Sequence, residues 1–112
     1  MSRPTKCRRV CRFPETLEFF TTGETLGEPV ILTVDEYETI RLVDKEKLSQ
    51  EDCGTQLGVG RTTAQKIYET ARRKIADALV LGRSLKIEGG DFYLCNGNSE
   101  FCNKKSCLKR QF

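Results

Sequence analysis

Between positions 61 and 66 the chain sets Arg61, Thr62, Thr63, Gln65 and Lys66, a run of long donors and hydroxyls within two helical turns. Arginine matches the paired acceptors of guanine and glutamine the donor and acceptor of adenine, while lysine and hydroxyl groups suit phosphate oxygens. Arg61 and Gln65 are four apart and share a helix face, whereas Lys66 lies about 100° round the helix, toward a nucleic-acid backbone. All five are therefore candidate DNA contacts. Starting a helix on Arg61 opposes the helix dipole, a small cost that an anionic partner would offset. Arg3, Lys6, Arg8 and Arg9 stand near the N-terminus as candidate phosphate or minor-groove contacts. The competing reading is an ordinary helical hairpin with a solvated polar face.

Six cysteines form a second constellation. Cys53 falls on a helix face where a small apolar residue suits tight packing, and is read as structural. Cys7, Cys11, Cys95, Cys102 and Cys107 cluster at the two ends. With no secretion signal, disulfides are the poorer explanation, and with no histidine in the chain any metal site must be thiolate-based. Four thiolates suit tetrahedral zinc or an iron–sulfur cluster. Cys11, Cys95, Cys102 and Cys107 are the candidate ligands, with Cys7 as the alternate. The spacings Cys95-x6-Cys102 and Cys102-x4-Cys107 are looser than paired C-x-x-C knuckles, so unligated thiols and a disulfide switch stand beside the metal site as readings.

An enzyme is not expected. The commonest general base is missing, and neither a P-loop nor a dinucleotide-type glycine pattern occurs. No C-x-x-C is present to make a thiol oxidoreductase.

Three helices must position these residues. Thr33, with Glu36 three residues on, begins a helix over about 34–44. Tyr37, Ile40, Leu42 and Val43 supply its inner surface, and Arg41 is expected at the surface, leaning on Glu38 or on the neighbours of Lys45, with no function. Ser49 caps a helix over 49–57, and Gly58-Val59-Gly60 breaks the periodicity. The third helix, 61–81, carries Ala64, Ile67, Ala71, Ile75, Ala78 and Leu79 at intervals of three or four, one apolar stripe. Two helices joined by a three-residue turn are a helix-turn-helix pattern. Residues 1–12 read as a basic arm, 13–90 as the helix-turn-helix domain and 91–112 as a cysteine-containing basic tail. Val10 and Phe13 are candidates to anchor a short strand, and Val30-Ile31-Leu32 reads equally as strand or loop. Ser84–Glu88 alternates as a strand that Phe92–Leu94 continues, and this terminal strand is expected beside Arg9–Phe13, bringing Cys11 near Cys95.

Charge is unevenly distributed beneath a net +3. Residues 13–60 carry eleven acids against three bases, a net −8, and residues 61–86 seven bases against two acids, a net +5. Such asymmetry is the footprint expected of a nucleic-acid partner. No apolar run approaches a membrane span and no signal-peptide core is evident, so a cytoplasmic location without membrane contact is expected.

Leu32–Glu38, Leu48–Glu51 and Gly58–Thr63 resemble region four of the primary bacterial sigma factor, which reads promoter DNA. Ser2-Arg3-Pro4, Arg8-Arg9, Val34-Asp35-Glu36, Ile40-Arg41-Leu42, Ala71–Lys74, Ala76–Val80 and Ile87–Gly90 resemble, over residues 2 to about 90, a bacterial and archaeal family of predicted DNA-binding proteins of unknown function. Some of its members are joined to a domain resembling dinitrogenase iron–molybdenum cofactor-binding proteins, an association with metal physiology. The chain departs from the pattern where Gly60 replaces a usual serine cap and Ala64 a bulkier apolar residue.

The resulting expectation is a mainly α fold, a three-helix, sigma-region-four-like helix-turn-helix core with short β segments from the N- and C-terminal parts. Its expected function is sequence-specific binding of duplex DNA in transcriptional regulation, modulated by a metal or redox state at the terminal cysteines, with a homodimer permitted. The alternative is a protein-interaction module that docks on RNA polymerase or another partner through the acidic residues 13–60.

Overall fold

The computed structural model describes residues 8–23 and 27–95. Five short strands, β1 (Arg8–Val10), β2 (Glu18–Phe19), β3 (Val30–Leu32), β4 (Leu85–Ile87) and β5 (Phe92–Leu94), frame three helices, α1 (Val34–Ile40), α2 (Gln50–Leu57) and α3 (Arg61–Leu81). The three expected helices and short terminal strands are thus present. None of the described helices is long and apolar enough to cross a membrane.

Each helix starts where the sequence chemistry directs. Glu36 Oε1 accepts the Thr33 backbone N–H at 2.9 Å, closing a capping box at the start of α1. At α2 the Ser49 hydroxyl accepts the Asp52 N–H at 3.0 Å. Gly82, in the left-handed region at φ 66°, ends α3.

Val30–Leu32 is a strand. It lies parallel to β4, which also pairs antiparallel with β2, so the sheet runs β2-β4-β3. β1 and β5 form a separate parallel pair in which Val10 opposes Leu94. The expectation of one terminal strand beside Arg9–Phe13 therefore needs correction: β4 and β5 belong to different sheets. Gly89 and Gly90, at φ 76° and 100°, turn the chain out of the first sheet before the second begins. A Cβ on Gly90 would collide with Asp35 Oδ1 and sit 2.9 Å from Thr33 Cβ, so this glycine also lets the turn press on the start of α1.

Two apolar clusters make the core. Val10, Leu32, Val34, Ala71 and Ile87 join the strands to α1, and Leu42, Cys53, Leu57, Ala64 and Ile67 join α2 to the first turns of α3. The stripe on α3 feeds both clusters. Its far end departs from expectation: Ile75 is half-buried and Leu79 is 78% exposed, because nothing in the described fold reaches over the last turn. Phe13 is also exposed, its ring tilted against Phe92 at 6.2 Å between centroids.

The helix expected over 34–44 changes character at Arg41. From Arg41 to Lys45 the backbone widens to a π-helix, the Glu46 N–H reaching the Arg41 carbonyl at 2.9 Å. Lys47, with φ 64°, completes the reversal into α2. Arg41 is not a surface residue. Its Nε and Nη2 donate to Glu38 Oε1 and Oε2 at 2.7 and 3.0 Å, and both side chains are buried, at 8% and 2% exposed. Burial alone would lower the Arg41 guanidinium, but the hydrogen bonds and charge of Glu38 outweigh it and hold it above its usual value. The second oxygen of Glu38 also accepts the Cys11 backbone N–H at 2.9 Å, tying β1 to α1.

Removing one member of such a pair strands a buried charge, which costs about 3–5 kcal/mol. Arg41→Met should therefore lower unfolding free energy by about that amount in urea titrations. The double replacement Arg41→Met/Glu38→Leu should recover part of the loss, because it removes the stranded carboxylate. Equal losses in the single and double variants would show that the charge is not what the pair protects.

Candidate nucleic-acid interface

The turn between α2 and α3 holds the two helices in a fixed relation. Gly58 adopts φ 78°, its N–H donating back to the Thr55 carbonyl at 3.3 Å, and Val59 N–H returns to the Gly54 carbonyl at 2.9 Å. Gly60 then serves as the N-cap of α3, its carbonyl accepting the Ala64 N–H at 3.0 Å. Val59 packs half-buried on the cluster around Leu57 and Ala64.

With Ala64 and Ile67 buried, the first turns of α3 present Arg61, Thr62, Gln65, Lys66 and Glu69 to solvent, while Thr63 is half-buried. Arg61, Gln65, Tyr68 and Arg72 fall at steps of four, three and four, one stripe along the helix. A groove runs along it, lined by Arg61, Gln65, Tyr68, Glu69, Arg72 and Arg73 from α3 and by Gln50 from the first turn of α2. Gln65 Nε2 donates to Glu69 Oε1 at 3.2 Å, which keeps the amide extended along the stripe. Gln50 Oε1 is buried with no hydrogen-bond partner among the described residues.

Tyr68 and Arg72 are braced from behind. The Tyr68 hydroxyl donates to Asp44 Oδ1 at 2.6 Å, Arg72 Nε lies 3.9 Å from Asp44 Oδ2, and the Arg72 guanidinium carbon sits 5.5 Å from the centre of the Tyr68 ring. Burial, together with the hydrogen bond to Asp44, raises the Tyr68 hydroxyl above its usual pKa, so it stays a neutral donor. Sequence spacing singled out Arg61, Gln65 and Lys66 but missed Gln50, Arg72 and Arg73. Continuing the 61–65 stripe to 68 and 72 would have found Arg72; Gln50 joins only through the interhelix angle.

Lys66 lies off this stripe. It borders a second depression with Arg8, Asp35, Glu36 and Asp91. Of the four arm candidates, Arg8 and Arg9 belong to β1. Arg8 Nη1 is 3.8 Å from Asp91 Oδ2, and Arg9 Nη2 donates to the Thr55 carbonyl near the end of α2 at 3.1 Å. Arg3 and Lys6 lie outside the described residues.

The cysteine candidates divide in the same way. Cys11 and Cys95 follow directly on the paired residues Val10 and Leu94, with the Cys95 N–H on the Val10 carbonyl at 2.8 Å, so the expected approach of the two is present. Both are buried. Cys102, Cys107 and the alternate Cys7 lie outside the described residues; among the described residues, no three histidine, cysteine or acidic side chains converge as metal ligands would. Cys53 is buried in the α2–α3 core, and burial, reinforced by the nearby Glu38 charge, pushes its thiol up to about 12, as a structural thiol requires.

Residues 1–95 match the family described as "Protein of unknown function DUF134". A UPF0251 protein of Desulfitobacterium hafniense is 47% identical over 113 residues, covering 99% of this chain and 90% of its own length. Others, from Moorella thermoacetica and a Thermoanaerobacter species, are 47% and 45% identical, covering 84% and 82% of this chain and 64% and 83% of their own lengths. No solved structure matches. The chain belongs to the DUF134 family.

The helix pair depends on Gly54. A Cβ there would stand 2.8 Å from the Val59 carbonyl oxygen and 3.2 Å from that of Gly60. Helix propensity favours alanine over glycine by about 1 kcal/mol, but overpacking against rigid backbone costs about 1–3 kcal/mol. Gly54→Ala should thus destabilise the fold by up to about 2 kcal/mol in denaturant titrations. Stabilisation would mean that the turn yields freely and does not constrain the two helices.

Proposed function

We propose that this member of the DUF134 family binds duplex DNA sequence-specifically through α2 and α3, a sigma-region-four-like helix-turn-helix, and regulates transcription. One observation carries the reading: Arg61, Gln65 and Arg72 line a single groove on α3 that Gln50 of α2 also enters. Arg61 and Gln65 read base edges from the N-terminal turns, while Arg72, Arg73 and Lys66 take phosphates on either side. Arg3, Lys6, Arg8 and Arg9 add phosphate contacts from the N-terminal side.

Docking on RNA polymerase through the acids of residues 13–60 has less surface to use than composition suggests. Asp35, Glu36 and Glu38 are buried, Glu36 held by Lys74 at 2.7 Å and Glu38 by Arg41. A gel shift on random duplex DNA at low salt separates the two readings, and no binding would favour the docking module.

The terminal cysteines complete the proposal as a thiolate site for zinc or an iron–sulfur cluster that modulates binding, supported by the side-by-side placement of Cys11 and Cys95. Anaerobically prepared protein should carry about one zinc or one cluster per chain. Elemental analysis that finds neither overturns this part alone.

Selection on a randomised duplex library tests base reading within one helix. Gln65→Ala should lose about 1–3 kcal/mol on the preferred site and relax preference at one base pair. Lys66→Ala should weaken all duplexes alike and reduce the salt slope by about one. If neither Gln65→Ala nor Arg61→Ala changes the rank order of sites, α3 does not read bases.

A further inference from the structure

The last turn of α3 is apolar and uncovered. Leu79 and Val80 are 78% and 83% exposed and Leu81 is 49% exposed, while Phe19 and Phe20, at the edge strand β2, are 53% and 75% exposed. Phe19, Phe20, Ile75 and Leu79 line one groove between the helix and the strand. Single exposed apolar residues are ordinary, but a continuous patch of this kind marks a contact surface.

We propose that this surface is a two-fold interface between two copies of the chain, with the ends of the two α3 helices crossing at Val80. Area supports a second copy as the occupant. The exposed fractions amount to roughly 600 Å² a chain, the upper edge of what a monomer's largest patch presents. Doubled across a two-fold axis they give about 1,200 Å², where specific interfaces begin.

Sedimentation equilibrium of the full chain without DNA tests the interface independently of any nucleic acid. The wild-type protein should show twice the 12.7 kDa chain mass at micromolar concentration. Leu79→Asp and Val80→Asp, each exposed in the single chain, should show the single chain mass with unchanged helical circular dichroism. A wild-type protein that stays at the single chain mass overturns the proposal, whether residues 96–112 or another protein covers the patch. So does a dimer that survives both apolar substitutions, since its contact then lies elsewhere.

Discussion

Glu38 sits almost wholly out of water, with its two carboxylate oxygens shared among three donors: Arg41 Nε, Arg41 Nη2 and the backbone N–H of Cys11. A buried carboxylate is tolerable only when paired and hydrogen-bonded, so the segments that supply those donors must arrive together on α1, which carries it. They are the π-helical turn that follows α1 and the end of β1. Through Val10 and Cys11 the same contact fixes the β1–β5 pair, and through Leu42 it fixes the wall on which Cys53 and Leu57 of α2 pack. The acidic face that composition assigns to residues 13–60 is thus partly an internal joint.

α3 is the element that everything else shares. Its buried stripe enters both apolar clusters, its outward N-terminal face forms the groove with α2, and its last turn emerges bare beside β2. A helix held along two-thirds of its length presents its side chains from a rigid platform, which base reading demands. The bracing of Tyr68 and Arg72 by Asp44 links the groove to the π-helical turn, so the joint around Glu38 also positions one edge of the candidate interface.

The helices were legible in the sequence because their signals are local. Thr33 and Ser49 as caps, Gly58 and Gly82 as terminators and the spacing of Ala64, Ile67 and Ala71 act within a turn or two of the chain, so α2 and α3 begin and end as read. The outward set Arg61, Thr62, Gln65 and Lys66 follows from the same periodicity. Leu79 misled because periodicity reports which residues share a face and not whether anything covers it.

Tertiary structure alone decided the rest. Arg41 looked like a solvated base, yet the fold buries it, because only assembly brings Glu38 and the Cys11 amide to one point. β4 and β5 read as one strand, yet Gly89 and Gly90 turn the chain between them, Gly90 lying against Thr33 and Asp35, and send them to different sheets. Gln50 joined the groove through the angle between α2 and α3, which Gly54 permits by its missing side chain. Composition, capping and periodicity determined which segments are helical and which face is charged, since those depend on neighbours along the chain. Burial of charge, strand partners and the shape of the groove depend on residues distant in the chain, such as Cys11 with Glu38, Val10 with Leu94 and Gln50 with Arg72, and no local pattern encodes where those meet.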